Sequence, residues 1–274
     1  MRDLQTEAEK KPFAAAVKAL WIEMFEDKES YVDHYMSSTW KHNRVLLLLR
    51  GEEIVSMLHL NPYTCIVQGE RLDLHYIVGV CTKKAEQGKG YMGQLVTEAL
   101  RICKEDGEPF TYLMPAAEAI YRPYNFVSAG WCDKFVIEAE EADPSLPQAR
   151  WDVIVPELGQ AGLIQNVGNH TLQICPFDRW TAGQTKQLES FAAELPMDMH
   201  AAWTAAYFAE TDQQMKCYDG ELVAVWDQEK PIAIAAYLCE EDQSEAEITH
   251  VLAAKQYQKL VCRQLAEYVR KRLN

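Results

Sequence analysis

The sequence predicts an α/β (α+β) chain made of two tandem copies of one architecture, each a mixed, mostly antiparallel sheet flanked by helices, the second copy partial and degenerate. Three observations carry that expectation. An apolar, β-branched run at 74–81 passes through a turn holding Gly88, Gly90 and Gly93 into an amphipathic helix. The order of elements in residues 1–139 recurs in residues 151–274. Hydrophobic residues make up 48% of 274, enough for two domains with cores of their own.

The elements follow in order. A leading arm precedes helix 13–25, apolar at Phe13, Val17, Leu20, Trp21 and Met24. A second helix spans 29–40. Strand 44–50, the turn Gly51-Glu52, strand 53–67 and strand 71–82 come next, then helix 90–105, apolar at Leu95, Val96, Ala99, Leu100 and Cys103. Residues 110–126 read as a strand, a break at Pro115 and a short helix. An acidic, proline-bearing linker, 140–150, separates the copies. The second copy opens on a strand at 172–175 and helix 181–194, with Thr181 as N-cap. A helix near 199–209, strands 221–226, 231–239 and 246–253, and a helix over 256–272 complete it.

Bulk properties narrow the function. The net charge of −14 and the absence of a basic patch disfavour nucleic acid and suit a cationic partner. No apolar run approaches the ~20 residues of a spanning helix, and residues 1–12 lack an apolar signal core, so a cytoplasmic protein without membrane contact is expected. The eight cysteines are scattered without a Cys-x-x-Cys pair, which argues for reduced thiols and against a metal site. Cys81 reads as a small packed residue of a central strand rather than a nucleophile. Homo-oligomer formation is left open.

The junction at 82–95 carries the chemistry. A glycine-rich turn lets backbone N–H groups approach an anion, and the helix N-terminus adds unsatisfied donors and partial positive charge. The P-loop pattern fails, because Tyr91-Met92 stand where Lys-Ser/Thr is required. A dinucleotide pattern is nominally met by Gly88, Gly90 and Gly93, with Glu105, Asp106 and Glu108 near the acidic offset, but the strands before it read as antiparallel and do not open a βαβ unit. The segment Gln87-x-x-Gly90-x-Met92 resembles the Arg/Gln-x-x-Gly-x-Gly/Ala pyrophosphate loop of the GCN5-related N-acetyltransferases (GNAT), with Met92 in place of the small last residue. Downstream, Tyr121-Arg122-Pro123-Tyr124-Asn125-Phe126 resembles the same family's tyrosine motif, with Asn125 in its glycine position. Asn is the residue that most readily replaces glycine at positive φ. Within the superfamily, Ile120-Tyr121 is most similar to the Eis-type (enhanced intracellular survival) enzymes. The resemblance covers about residues 1–137 well and the remainder loosely.

The resemblance implies a catalytic GNAT domain over 1–139 and a degenerate GNAT-like domain over 151–274, without the sterol-carrier-like domain that Eis-type enzymes carry at their C-terminus. It implies acetyl-CoA as co-substrate and a primary amine, on a small cationic molecule or a peptide, as acceptor. The pantetheine would lie along Val80, Cys81 and Thr82, and the pyrophosphate on Gln87, Gly88, Lys89, Gly90, Tyr91, Met92 and Gly93, with Lys83, Lys84 and Lys89 toward the adenosine phosphates. Tyr121 would be the acid for the departing thiolate, since a phenol near pKa ~10 stays protonated at neutral pH. The base is not identified; Asp73 and His75, on the strand leading to the loop, could relay a proton through water, and His75 counts among the candidate substrate-site residues, though a single strand histidine also suits a structural role. Phe25, Glu26, Asp27, Tyr31, Tyr35 and Trp40 mix carboxylates with aromatic faces, which suits a cation, though the same residues suit a helix–helix loop with core aromatics. In Eis-type enzymes the final carboxylate serves as base; Asn274 ends a different element, so that role is not carried over. At the second copy's junction, Leu252-Ala253-Ala254-Lys255-Gln256-Tyr257 has no glycine, so a phosphate site is not expected there. A silent CoA-binding sensor and an acyltransferase using another donor remain open alternatives.

Overall fold

The computed structural model describes residues 1–130, 135–138, 163–167, 170–239 and 245–273. The chain divides into two compact units, one of residues 1–131 with 198–201, the other of residues 132–197 with 202–274. The first contains β1 (Arg2–Leu4), α1 (Glu7–Lys10), α2 (Ala14–Met24), α3 (Glu29–Ser37), β2 (Arg44–Arg50), β3 (Glu53–Val67), β4 (Glu70–Thr82), α4 (Tyr91–Glu105) and α5 (Glu118–Tyr121). After it come β5 (Phe135–Glu138), β6 (Leu163–Val167), β7 (His170–Pro176), α6 (Ala182–Glu194), β8 (Met199–Ala201), α7 (Ala205–Lys216), β9 (Glu221–Asp227), β10 (Lys230–Cys239), β11 (Glu245–Ala253) and α8 (Gln258–Leu273).

The first sheet runs β1-β2-β3-β4, antiparallel throughout. Its strands alternate as the sequence pattern requires. Val45 and Leu47 pack with Val17, Leu20 and Trp21 of α2, whereas Leu46 and Leu48 pack with Leu95, Val96 and Ala99 of α4. Midway along β4 the alternation breaks. Met57 pairs with Cys81 but His59 with Val78, so β4 carries one extra residue, and Gly79 there has φ +62°. The bulge keeps Ile77 and Val80 on the α4 face and Val78 and Cys81 on the α2 face. A Cβ on Gly79 would lie 2.9 Å from the Trp21 ring. Gly79→Ala is therefore expected to lower stability by about 2 kcal/mol, from left-handed strain and overpacking. A urea titration with an unshifted midpoint would contradict this.

Between the sheet and α3 lies a buried polar network. Tyr35 Oη donates to Asn61 Oδ1 at 2.8 Å and accepts from Asn43 Nδ2 at 2.8 Å. Its remaining lone pair receives His59 Nδ1 at 2.9 Å, which assigns the Nδ1–H tautomer. Burial drives the His59 pKa down to about 3, so the ring is neutral. Lys10, fully buried, donates from Nζ to the carbonyls of Trp40 and Asn43 and lies over the Trp40 ring.

Two expected elements differ. The strand expected from 110 is only a parallel bridge, Tyr112 to Tyr76, with Ile77 N–H donating to Tyr112 O at 2.9 Å. Pro109 and Pro115 flank it and remove ladder donors. Residues 199–201, expected as helix, form β8 and pair with Cys65–Val67 of β3. β2 stops pairing at Leu60, so the edge beyond is unclaimed and takes this segment; α7 starts only at Ala205, capped by Thr204.

The second sheet runs β5-β11-β10-β9-β7-β6. β5 lies within the expected first domain but pairs with β11, and the unit boundary falls before it at residue 131, not at 139. Leu222, Ala224 and Trp226 face Phe208 of α7 and Leu188 of α6, while Val223 and Val225 face Val261, Leu265 and Val269 of α8. Thr181 caps α6 in a reciprocal box with Gln184. Glu221 Oε1 accepts from Tyr237 Oη at 2.8 Å, Tyr268 Oη at 2.6 Å and Arg272 Nη2 at 3.0 Å, which fastens α8 to the sheet. The linker 140–150 lies outside the described residues.

Candidate active site

β4 pairs with β3 up to Thr82, but on its other edge only Tyr76 and Ile77 are met, by Tyr112. From Val78 to Thr82 no strand flanks that edge among the described residues. The edge therefore offers backbone groups to an extended ligand that can hydrogen-bond as a strand would.

The strand leads into the glycine turn, which is braced from beneath. The Glu86 carboxylate, 6% exposed, holds Arg50 Nη1 at 2.5 Å and Lys89 Nζ at 2.8 Å. Gln87 Nε2 donates to Thr82 O at 3.1 Å, tying the turn back to the strand end. Gly88 and Gly90 have φ +77° and +75°, and a Cβ built on either meets nothing within 4 Å. Both glycines are thus demanded by the left-handed backbone, and the space before them is open. The first α4 amide to bond is Gln94, to Gly90 O at 3.2 Å. The amides of 88–93 make no backbone hydrogen bond among the described residues, so they and the helix dipole converge on that space. These residues fit a diphosphate.

Gly93 answers to a different need. Its backbone is ordinary, but a Cβ would sit 2.4 Å from Tyr124 Oη. Its smallness serves the packing of Tyr124, not an approach to phosphate. Met92 and Tyr91 pack against the core beneath α4, so the departure at Met92 turns away from the open face. Among the lysines, Lys83 is held by Glu53 at 2.7 Å and Lys89 by Glu86, while Lys84 is exposed.

Tyr121 closes α5 and is half-buried. Asn125, at φ +64°, ends the following turn in the left-handed conformation expected of it and returns the chain so that Phe126 meets the Tyr121 ring edge-on at 5.7 Å. Tyr121 packs against the same cluster as Val80, Tyr91 and Met92. Burial first, and Tyr76 second, raise its pKa above the ordinary value, so the hydroxyl keeps its proton at neutral pH.

Cys81 is 8% exposed, and burial pushes its thiol up to about 12, which removes it as a nucleophile. The second contributor to that shift is Glu23, which also raises Lys83. Glu23, exposed on α2 two residues past the buried Trp21, was not singled out from the sequence. The expected acceptor residues divide. Asp27 Oδ2 accepts from Trp21 Nε1 at 2.9 Å, and Phe25 lies 5.4 Å from the Trp21 ring, so the turn after α2 is anchored on Trp21. Glu26 is exposed and Tyr31 half-buried. Trp40 and Tyr35, 4% and 3% exposed, are core. His75 contacts Glu108 through Nδ1, and its N–H donates to Glu108 Oε2 at 2.8 Å, so it is held at the far end of α4 from the glycine turn. Asp73 accepts from Thr64 at 2.6 Å on the surface.

Residues 7–129 match the family model described as an acetyltransferase (GNAT) domain. No curated protein matches the sequence. Solved structures of similar fold include a probable N-acyltransferase from Enterococcus faecalis (TM-score 0.58, 12% identity, 99% of this chain and 62% of that one). They also include a GCN5-related N-acetyltransferase from Anabaena variabilis (0.60, 14%, 99% and 63%) and Eis1 from Mycobacterium abscessus (0.58, 14%, 97% and 62%). The chain thus spans about 62–63% of the length of these structures. No helix among the described residues is long and apolar enough to cross a membrane.

Proposed function

We propose, since residues 7–129 match a family model described as an acetyltransferase (GNAT) domain, that the first unit transfers the acetyl group of acetyl-CoA to a primary amine. One observation carries the reading: a strand edge unflanked among the described residues leads into two left-handed glycines with open space before them and neighbouring amides that make no backbone hydrogen bond. Pantetheine amides would pair with β4 from Val80 to Thr82, and the diphosphate would sit on the amides of 87–93. The bulge at Gly79 interrupts the β3 ladder where the acetyl carbonyl would arrive, so its backbone is available to a developing oxyanion. The neutral amine nitrogen attacks the acetyl carbon, the tetrahedral intermediate collapses, and the C–S bond breaks. Tyr121 gives its hydroxyl proton to the departing sulfur, and the surplus amine proton passes to water, which returns one to the phenolate.

The acceptor is proposed to be a cationic small molecule or a peptide amine, drawn by the charge of −14 and met by Glu26 and Glu23. The second unit is proposed to be non-catalytic. Its strand-to-helix turn, from Ala253 to Gln258, contains no glycine. The test is calorimetry with CoA and a thiol-release assay with acetyl-CoA against polyamines, aminoglycosides and peptide amines. The expected result is one CoA per chain and turnover with at least one cationic amine. Two CoA per chain would remove the assignment of the second unit, and no CoA binding would remove that of the first.

A further inference from the structure

Away from the glycine turn, three side chains with metal-binding atoms converge. His75 comes from β4, Cys103 from the last turns of α4, and Glu108 from the loop after it. His75 Nδ1, Cys103 Sγ and a Glu108 carboxylate oxygen all lie within 4.8 Å of one another. Cys103 is 3% exposed, the Glu108 side chain 5% and that of His75 21%, so the cluster is enclosed but for one side.

The surroundings orient it. His75 N–H donates to Glu108 Oε2 at 2.8 Å, which fixes the carboxylate. Thr111 Oγ1 donates to His75 O at 2.7 Å, which fixes the strand. Backbone restraint on a ligating carboxylate is what a metal centre needs from its outer shell. One imidazole, one thiol and one carboxylate are the donor set of a borderline cation such as zinc, and three protein donors leave a fourth position for water.

We infer that His75, Cys103 and Glu108 form a three-ligand site for a zinc-class divalent cation. The cation takes the place of the proton on the Cys103 sulfur, which passes to solvent as the thiolate bonds, while the imidazole binds through Nδ1 and carries its one proton on Nε2. Cys103 lies thirteen residues along α4 from Gly90, about 20 Å at the rise of a helix. The site is therefore separate from the proposed acetyl-transfer residues, and a bound cation would tie the C-terminal end of α4 to β4. The absence of a Cys-x-x-Cys pair does not argue against it, since the donors come from three separate segments.

The test is a Co(II) titration of the chelator-treated full chain, followed by absorbance, with Zn(II) competition and thermal melts. The expected result is a thiolate-to-cobalt band saturating at one Co(II) per chain, lost on adding Zn(II), and a melting temperature raised by Zn(II). Cys103→Ser should abolish the band, and Glu108→Gln, which keeps the side chain's shape, should weaken Co(II) at least about tenfold. No saturable band in the wild-type chain, a band that survives Cys103→Ser, or unchanged affinity in Glu108→Gln would each overturn the site. Because six other described cysteines are present, the Cys103→Ser result separates this site from adventitious thiol binding.

Discussion

Tyr121→Phe is expected to cut kcat for acetyl transfer by about 10²–10⁴ while leaving the CoA dissociation constant within a few-fold of wild type. The substitution keeps the ring that meets Phe126 edge-on and packs against the α4 core cluster, and removes only the hydroxyl. That hydroxyl is held protonated by partial burial and by Tyr76, so it can donate to sulfur at neutral pH. Among the described residues it makes no hydrogen bond to another side chain, so a purely structural role has little to lose beyond packing. Equal kcat in a folded Tyr121→Phe enzyme would take Tyr121 out of the mechanism. A fall in melting temperature with normal turnover per folded molecule would assign it to packing instead.

Gly90→Val is expected to weaken CoA by roughly 100-fold, about 2.8 kcal/mol. Two effects add. At φ +75° a β-branched residue is strained, so the turn must move. A Cβ at Gly90 meets no protein atom within 4 Å, so the branched side chain would enter the space the amides face. Hydrogen bonds from amides to a charged phosphate are worth about 1.5–3 kcal/mol each, so losing one or two accounts for the magnitude. Gly93→Ala is the matched contrast. Its Cβ would collide with Tyr124 Oη, so it should lower the melting temperature first and CoA affinity second. Calorimetry and thermal melts on the two variants, measured side by side, separate the roles. Unchanged CoA affinity in folded Gly90→Val would show that the diphosphate does not lie on this turn.

The glycine turn was legible because its signal is local. Gly88 and Gly90 mark left-handed backbone between a period of two and a period of 3.6, and Asn125 marks a third such residue before Phe126. The uniformly apolar runs 45–48 and 222–226 announced strands, but not which residue faces which helix layer. Thr181 announced a helix start as an N-cap residue. What was not legible depended on partners distant in the chain. Gly79 sits inside an apolar run, and only the register of β3 against β4 shows that it is a bulge. Gly93 looked like a third phosphate glycine until Tyr124 was placed against it. Residues 199–201 carry helix-compatible residues, yet the free edge of β3 offers backbone bonds that outweigh a weak local preference.

The sequence by itself therefore determined the kind of chain, the strand–glycine–helix junction and the tyrosine turn, because backbone sign and hydrophobic period are properties of neighbouring residues. Tertiary structure alone decided which edge of β4 is unpaired among the described residues, that Trp40 and Tyr35 are core, and that His75 meets Cys103 and Glu108. Each of these depends on which residues of separate elements face one another. A one-residue bulge in β4 is enough to reverse that facing.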